Sequence, residues 1–143
     1  MKIRKAKEED IKELVKIEMS SGYHKKKFNF EPYLQELFEE NAEIFCSEEE
    51  KNLTGYITLS KNGELGFLAV SKKFQGKGIA NLLLKKVISS SKQKKIKKLF
   101  LDVRNDNLSA IRLYLKNGFM ITKLYKKKID SKEIIKLRLE RLI

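Results

Sequence analysis

Residues 65–91 read LGFLAVSKKFQGKGIANLLLKKVISSS. The run Leu65–Val70 reads as a strand. It passes through Gln75-Gly76-Lys77-Gly78-Ile79-Ala80 into a stretch whose apolar residues, Ile79, Leu82, Leu83, Val87 and Ile88, form one helical face. A strand that turns straight into a helix through glycines has a chemical consequence. The first N–H groups of a helix have no intrahelical acceptor and carry a partial positive charge. Small residues at Gly76, Gly78 and Ala80 let such donors come close to a ligand. This is an anion site for which a pyrophosphate is a natural occupant, and Lys72, Lys73 and Lys77 surround it. The loop lacks the Gly-Lys-Ser/Thr of a Walker A motif and the G-x-G-x-x-G of a dinucleotide fingerprint. Taken alone, it also reads as a strand-to-helix turn with no ligand.

Working outward, Met1–Lys5 alternates like a first strand. Ile11, Leu14, Val15 and Met19 then recur at helical spacing behind acidic Glu8, Glu9 and Asp10, which suit the helix dipole. Ser20, Ser21 and Gly22 close that helix, and Pro32 opens a second one through Phe38. Glu43–Ser47 and Leu53–Ser60 are strands, and Asn62-Gly63 is a hairpin turn signal leading into Leu65–Val70. Downstream of the quoted stretch, a lysine-rich loop feeds a strand in which Leu99, Leu101 and Val103 alternate with Phe100, Asp102 and Arg104. Asn105 and Asn107 can cap a helix whose buried face is Leu108, Ile111 and Leu115, with Gly118 at its end. Phe119–Tyr125 and Glu133–Leu139 are two last strands joined at Asp130-Ser131. The predicted order is β-α-α-β-β-β-α-β-α-β-β. That is an α+β (mixed α/β) single domain over residues 1–143, a central six- to seven-stranded mixed sheet flanked by four helices.

The 143 residues, 41% of them hydrophobic, suffice for one core. Lys and Arg number 32 against 19 Asp and Glu, a formal net charge of +13. This surplus favours anionic partners: nucleic acid, a membrane surface or a phosphorylated cofactor. A basic nucleic-acid-binding module is therefore the rival reading. Against it, Lys94-Lys95 and Lys126–Lys128 have no interleaved aromatics, and no helix-turn-helix or RNP signature is present. A single cysteine, Cys46, rules out an intrachain disulfide and a cysteine-based zinc site, and its acidic neighbours mark it as a small hydrophobe. A single histidine, His24, excludes a multi-histidine site, so no metal is expected. No apolar run approaches about 18 residues and the N-terminus lacks a signal-peptide core, so a soluble cytoplasmic protein without membrane contact is expected.

About thirty residues beyond the glycine loop stands LDVRNDNLSAIRLYLKNGF (residues 101–119). Together the two segments resemble the GCN5-related N-acetyltransferase (GNAT) family. Gln75, Gly78 and Ala80 match its Q/R-x-x-G-x-G/A loop. Asn107, Ala110, Leu113, Tyr114, Gly118 and Phe119 match its N-x-x-A-x-x-L-Y-x-x-x-G-F stretch. The order of elements fits the same fold across nearly the whole chain. The resemblance implies acetyl-coenzyme A as co-substrate, its phosphates held by Gln75, Gly76, Lys77, Gly78, Ile79 and Ala80. It further implies that the pantetheine arm pairs like an extra strand with the backbone of Leu68, Ala69 and Val70. Asn107 and Tyr114 lie two helical turns apart on one face, about 10 Å in rise, so one can contact pantetheine while the other reaches the sulfur. Tyr114 matches the family's acid position.

Leu101-Asp102-Val103-Arg104 resembles the L-E-V-R of the branch that acetylates protein N-termini, including ribosomal-protein N-terminal alanine. There the acidic residue is the presumed base. Asp102 is one methylene shorter than Glu, so it acts directly, through a water, or only as a carboxylate paired with Arg104 or a lysine. The acceptor implied is a protein N-terminal amine, with a polyamine or other small amine as the alternative. A further alternative is a cofactor-binding protein without catalysis. Glu31–Glu50 contains no Lys or Arg and, with Tyr23 and His24, borders the acceptor side in such a fold, where it would attract cations. Both monomers and homodimers occur in this family.

Overall fold

A computed structural model describes residues 1–21 and 29–143. The strands are β1 (Lys2–Lys5), β2 (Glu43–Glu49), β3 (Asn52–Leu59), β4 (Leu65–Val70), β5 (Lys98–Arg104), β6 (Met120–Ile129) and β7 (Lys132–Leu142). The α-helices are α1 (Ile11–Ser20), α2 (Glu31–Glu39), α3 (Ile79–Gln93) and α4 (Leu108–Lys116). Seven strands and four α-helices in this order match the expected mixed α+β fold. The sheet, however, is divided. Strands β1-β2-β3-β4 form one antiparallel sheet and β5-β7-β6 another. Between β4 and β5 a single parallel bridge, Glu64 to Phe100, joins the two sheets, with Phe100 N–H donating to Gly63 O at 3.0 Å. The strands touch where they begin and part toward their C-terminal ends.

Alternation along β2 and β3 distributes side chains to two cores. Ile44, Cys46 and Tyr56 face α1 and α2, packing on Ile11, Leu14, Ile17 and Leu34. Phe45, Ile57 and Leu59 face α3, where they meet Ile79, Leu83, Leu84, Val87 and Ile88 along with Leu99, Leu101, Leu137 and Leu139 of the second sheet. A sheet covered on both faces explains why β3 is buried along nearly its whole length. Burial pushes the Cys46 thiol up to about 11, in keeping with a packing role.

Three faces differ from those the spacing predicts. On α3, Leu82 is 41% exposed and Leu84 is buried in its place. On α1 the buried stripe is Ile11, Leu14, Ile17 and Glu18, with Met19 turned outward. On α4, Leu108 and Leu115 are exposed while Tyr114 is buried, its ring edge-on to Phe119 at 5.3 Å. The sequence of α4 holds two overlapping apolar stripes that share Ile111, and the stripe through Ala110 and Tyr114 faces the core. The last hairpin is longer than expected, because Asp130 and Ser131 both take positive φ and make a two-residue turn of the type I′ kind. Among the described residues, no helix is long and apolar enough to cross a membrane.

Candidate active site

Where β4 and β5 part, a cavity of about 600 Å³ opens. Residues 65–70 of β4, residues 101–104 of β5, the start of α3 and one face of α4 line it. The wall contributed by β4 and α3 is made largely of backbone. Among the described residues, β4 has no ladder partner on the cavity side beyond the one bridge, so its main-chain groups face the opening. Gly76 and Gly78 have φ of +80° and +81°, and a Cβ built on either would meet nothing within 4 Å. Their left-handed conformation favours glycine, and the space beside them is an open cradle. The first helical bond of α3 runs from Leu82 N–H to Gly78 O, which leaves the N–H groups of Ile79, Ala80 and Asn81 without intrahelical acceptors.

Gln75 holds the loop rather than pointing from it. Its Nε2 donates to Val70 O at 2.9 Å and to Ser21 O at 3.1 Å, tying the loop to the end of β4 and to the C-terminus of α1. Asn117 makes a similar tie, donating to Asn81 Oδ1 at 2.9 Å and to Leu113 O at 2.8 Å, and so fixes the start of α3 against α4. Asn107 caps α4, its Oδ1 accepting from Ala110 N–H at 3.3 Å. Lys77 lies outside the cavity lining, and its Nζ sits over the Phe74 ring at 5.2 Å, as that of Lys73 does at 5.3 Å.

The opposite wall is made of side chains and charge. Asp102 accepts from Arg138 Nε at 2.7 Å, Arg138 Nη2 at 3.0 Å and the Tyr125 hydroxyl at 2.7 Å. The Arg138 guanidinium, aided by Tyr125, holds the Asp102 carboxyl below the usual carboxylate range, and the same bond raises the Tyr125 hydroxyl. Arg138 also lies over the Phe100 ring at 5.1 Å, which fixes its plane. Arg104, the sequence-adjacent candidate partner, pairs with Asp106 instead.

Of the residues singled out from the sequence, Leu68, Ala69, Val70, Gln75, Gly76, Gly78, Ile79, Ala80, Asp102, Asn107 and Tyr114 all line this one cavity. Glu18 was not among them. It is 4% exposed, lines the cavity and accepts from the Tyr56 hydroxyl at 2.5 Å. A charged residue on an otherwise apolar helical stripe is its trace in the sequence. Arg138 and Tyr125 were also missed, since their relation to Asp102 depends on strand register. No residue of Glu31–Glu50 lines the cavity. Within that stretch Glu43 is buried against Lys5 and Lys94, and Glu48 lies near Arg4. Tyr23 and His24 lie outside the described residues.

Residues 8–119 match the acetyltransferase (GNAT) family. The chain belongs to this family. It is an acetyltransferase of the GNAT type, as the paired motifs led one to expect. An N-alpha-acetyltransferase of Sulfurisphaera tokodaii is 27% identical over 139 residues, covering 86% of this chain and 82% of the relative. Among solved structures, the ribosomal-protein-alanine N-acetyltransferase of Brucella melitensis superposes with a TM-score of 0.86 at 19% identity, covering 100% of both chains. A Salmonella typhimurium acetyltransferase structure that contains acetyl-CoA superposes with a TM-score of 0.83 at 17% identity, covering 99% of this chain and 93% of that one. At these identities the two structures establish the shared GNAT fold.

Proposed function

We propose that this GNAT protein moves an acetyl group from acetyl-coenzyme A to a protein N-terminal α-amine in the cavity between β4 and β5. The observation that carries the reading is the single bridge between those strands. It leaves an unpaired strand edge, the Gly76–Gly78 cradle and Tyr114 around one opening. An extended pantetheine arm can add to that edge by main-chain hydrogen bonds with Leu68, Ala69 and Val70. The N–H groups at the start of α3 suit a pyrophosphate, and the empty space beside both glycines is where it would lie. Gln75 serves that cradle by fixing its shape, and Lys77 by charge from outside it. Asn107, with Oδ1 committed to the cap, keeps Nδ2 as the donor for the arm.

Acetyl-coenzyme A, when bound, supplies a thioester whose C–S bond breaks as the new C–N bond forms, the amine giving up a proton and the sulfur gaining one. Tyr114, at the buried end of the α4 stripe, is the donor of the proton to sulfur. Asp102 stays ionised and faces the acceptor side. Its lowered pKa makes it a poor abstractor of protons, so it orients the amine by charge and the amine's proton leaves to solvent water. That division favours an α-amine. With a pKa near 7.7–8.0, about one α-amine in ten is already neutral at pH 7, against about one lysine amine in 2,500. The N-alpha-acetyltransferase and ribosomal-protein-alanine acetyltransferase relatives support the same acceptor. The polyamine alternative has less support, because no residue of the acidic stretch that would attract polycations lines the cavity.

The test is mass spectrometry of alanine-started peptides and of polyamines after incubation with acetyl-coenzyme A. Acetylation at the peptide α-amine is expected. Acetylation confined to polyamines would overturn the reading.

A further inference from the structure

Cross-strand register places Lys98 and Arg104 of β5, Lys123 and Lys127 of β6, and Lys132, Lys136 and Arg138 of β7 on one face of the second sheet, against only Asp102 and Glu140. Both carboxylates are already matched, Asp102 by Arg138 at 2.7 Å and Glu140 by Lys98 at 2.7 Å. Lys123, Lys127 and Lys136 make no ion pair among the described residues; Lys123 instead lies over the Tyr125 ring at 5.6 Å. This face runs into the cavity, because Asp102 and Arg104 belong to both. A chain whose terminal amine reaches Tyr114 past Asp102 must lay its following residues near a surface that is net positive.

We propose that this face selects acceptors by charge: the preferred substrate is an N-terminal peptide with Asp or Glu in the few residues after its amine. The inference rests on the N-terminal acceptor reading above and names its substrate class. It departs from the expectation drawn from Glu31–Glu50, since the sheet face that runs into the cavity beside Asp102 is net cationic. Exposed charges of this kind act mainly on encounter, raising association by about tenfold or more at low salt and fading as the Debye length shrinks to about 8 Å at physiological ionic strength.

The experiment compares kcat/KM for three alanine-started peptides, identical except for acidic, neutral or basic residues at the next three positions. It uses the full chain at low and at high salt. The acidic peptide is expected to lead the basic one by about tenfold at low salt, with the gap closing at high salt. In the Lys123→Glu/Lys136→Glu variant the order should level or reverse, while the neutral peptide keeps its rate. Lys127→Glu, at an exposed position, provides a second variant and should narrow the gap on its own. Equal or better turnover of the basic peptide by the wild type would overturn the proposal, as would a preference that both variants leave intact. Random-sequence RNA retained by the wild type but not by the double variant, with peptide rates indifferent to charge, would assign the face to nucleic acid and overturn it too. Failure of the underlying reading looks different: no peptide of any charge would be acetylated while a polyamine is.

Discussion

The two walls of the cavity do their work with different parts of the chain. The β4–α3 wall is backbone, with two left-handed glycines, a strand edge without a ladder partner and the start of a 15-residue helix, braced by Gln75 and Asn117. The β5–β7 wall is side-chain charge, with Asp102 held by Arg138 and Tyr125 on a lysine-rich face. Backbone donors do not titrate and cannot be removed by most substitutions, so the first wall should bind its ligand with little regard to pH. Charged side chains are screened by salt and change with protonation, so the second wall should set acceptor choice and pH response. The two buried and half-covered carboxylates follow this split. Glu18 is enclosed with Tyr56 beside the first sheet, whereas Asp102 sits in a cationic rim on the second.

Breaking this contrast begins where the walls meet, at Tyr114. Tyr114→Phe should lower kcat by about 10²- to 10⁴-fold, the usual contribution of a positioned acid, while leaving acetyl-coenzyme A affinity unchanged in calorimetry. A kcat equal to wild type would remove the hydroxyl from the chemistry. Next in size is the backbone wall. Gly78→Val puts a β-branched residue at φ +81° and disturbs donors worth about 1.5–3 kcal/mol each toward a charged group. Acetyl-coenzyme A affinity should fall about 10- to 100-fold by that measure, and unchanged affinity would show that the cradle is not used.

Gln75→Ala sharpens the picture of a braced loop. Loss of two hydrogen bonds should lower stability by about 1–2 kcal/mol, visible in denaturant melts, with weaker acetyl-coenzyme A binding and an unaltered kcat. The smallest effect concerns the charged wall. Because the folded pKa of Asp102 is depressed, its pairing stabilises the protein above the unfolded value of about 3.9 and that gain is lost as pH falls through the folded value. Asp102→Asn should therefore be less stable than wild type at neutral pH, with the two converging in acid. A stability gap that persists into acid would mean that the Arg138 pairing is not its source.

How much of this was legible follows from the range of each determinant. The glycine loop, the Asn107 cap and the Leu65–Val70 strand are local patterns, and the sequence carries them within a few residues. The pairing of Asp102 with Arg138 spans 36 positions and exists only once β5 and β7 are in register. Arg104, two residues from Asp102, was the obvious partner by proximity in sequence, yet β5 is followed by a turn in which Asp106 claims it. Periodicity marked α4 as amphipathic but not which of two overlapping stripes is inward, because Leu108 and Leu115 are more apolar than Tyr114. Strand patterns likewise do not say where a ladder is interrupted, and it is the interruption between β4 and β5 that makes the cavity.

The most direct test of the central claim is a thermal melt of the wild type and Gly78→Val, each with acetyl-coenzyme A at about 100 times the wild-type dissociation constant. The wild type should gain about 2.7 kcal/mol, roughly 10 °C in Tm for a domain of this size. The variant should gain far less, and inorganic phosphate should shift neither. No wild-type shift, or an equal shift in the variant, would contradict the assignment of the Gly76–Gly78 cradle as the place where acetyl-coenzyme A is held.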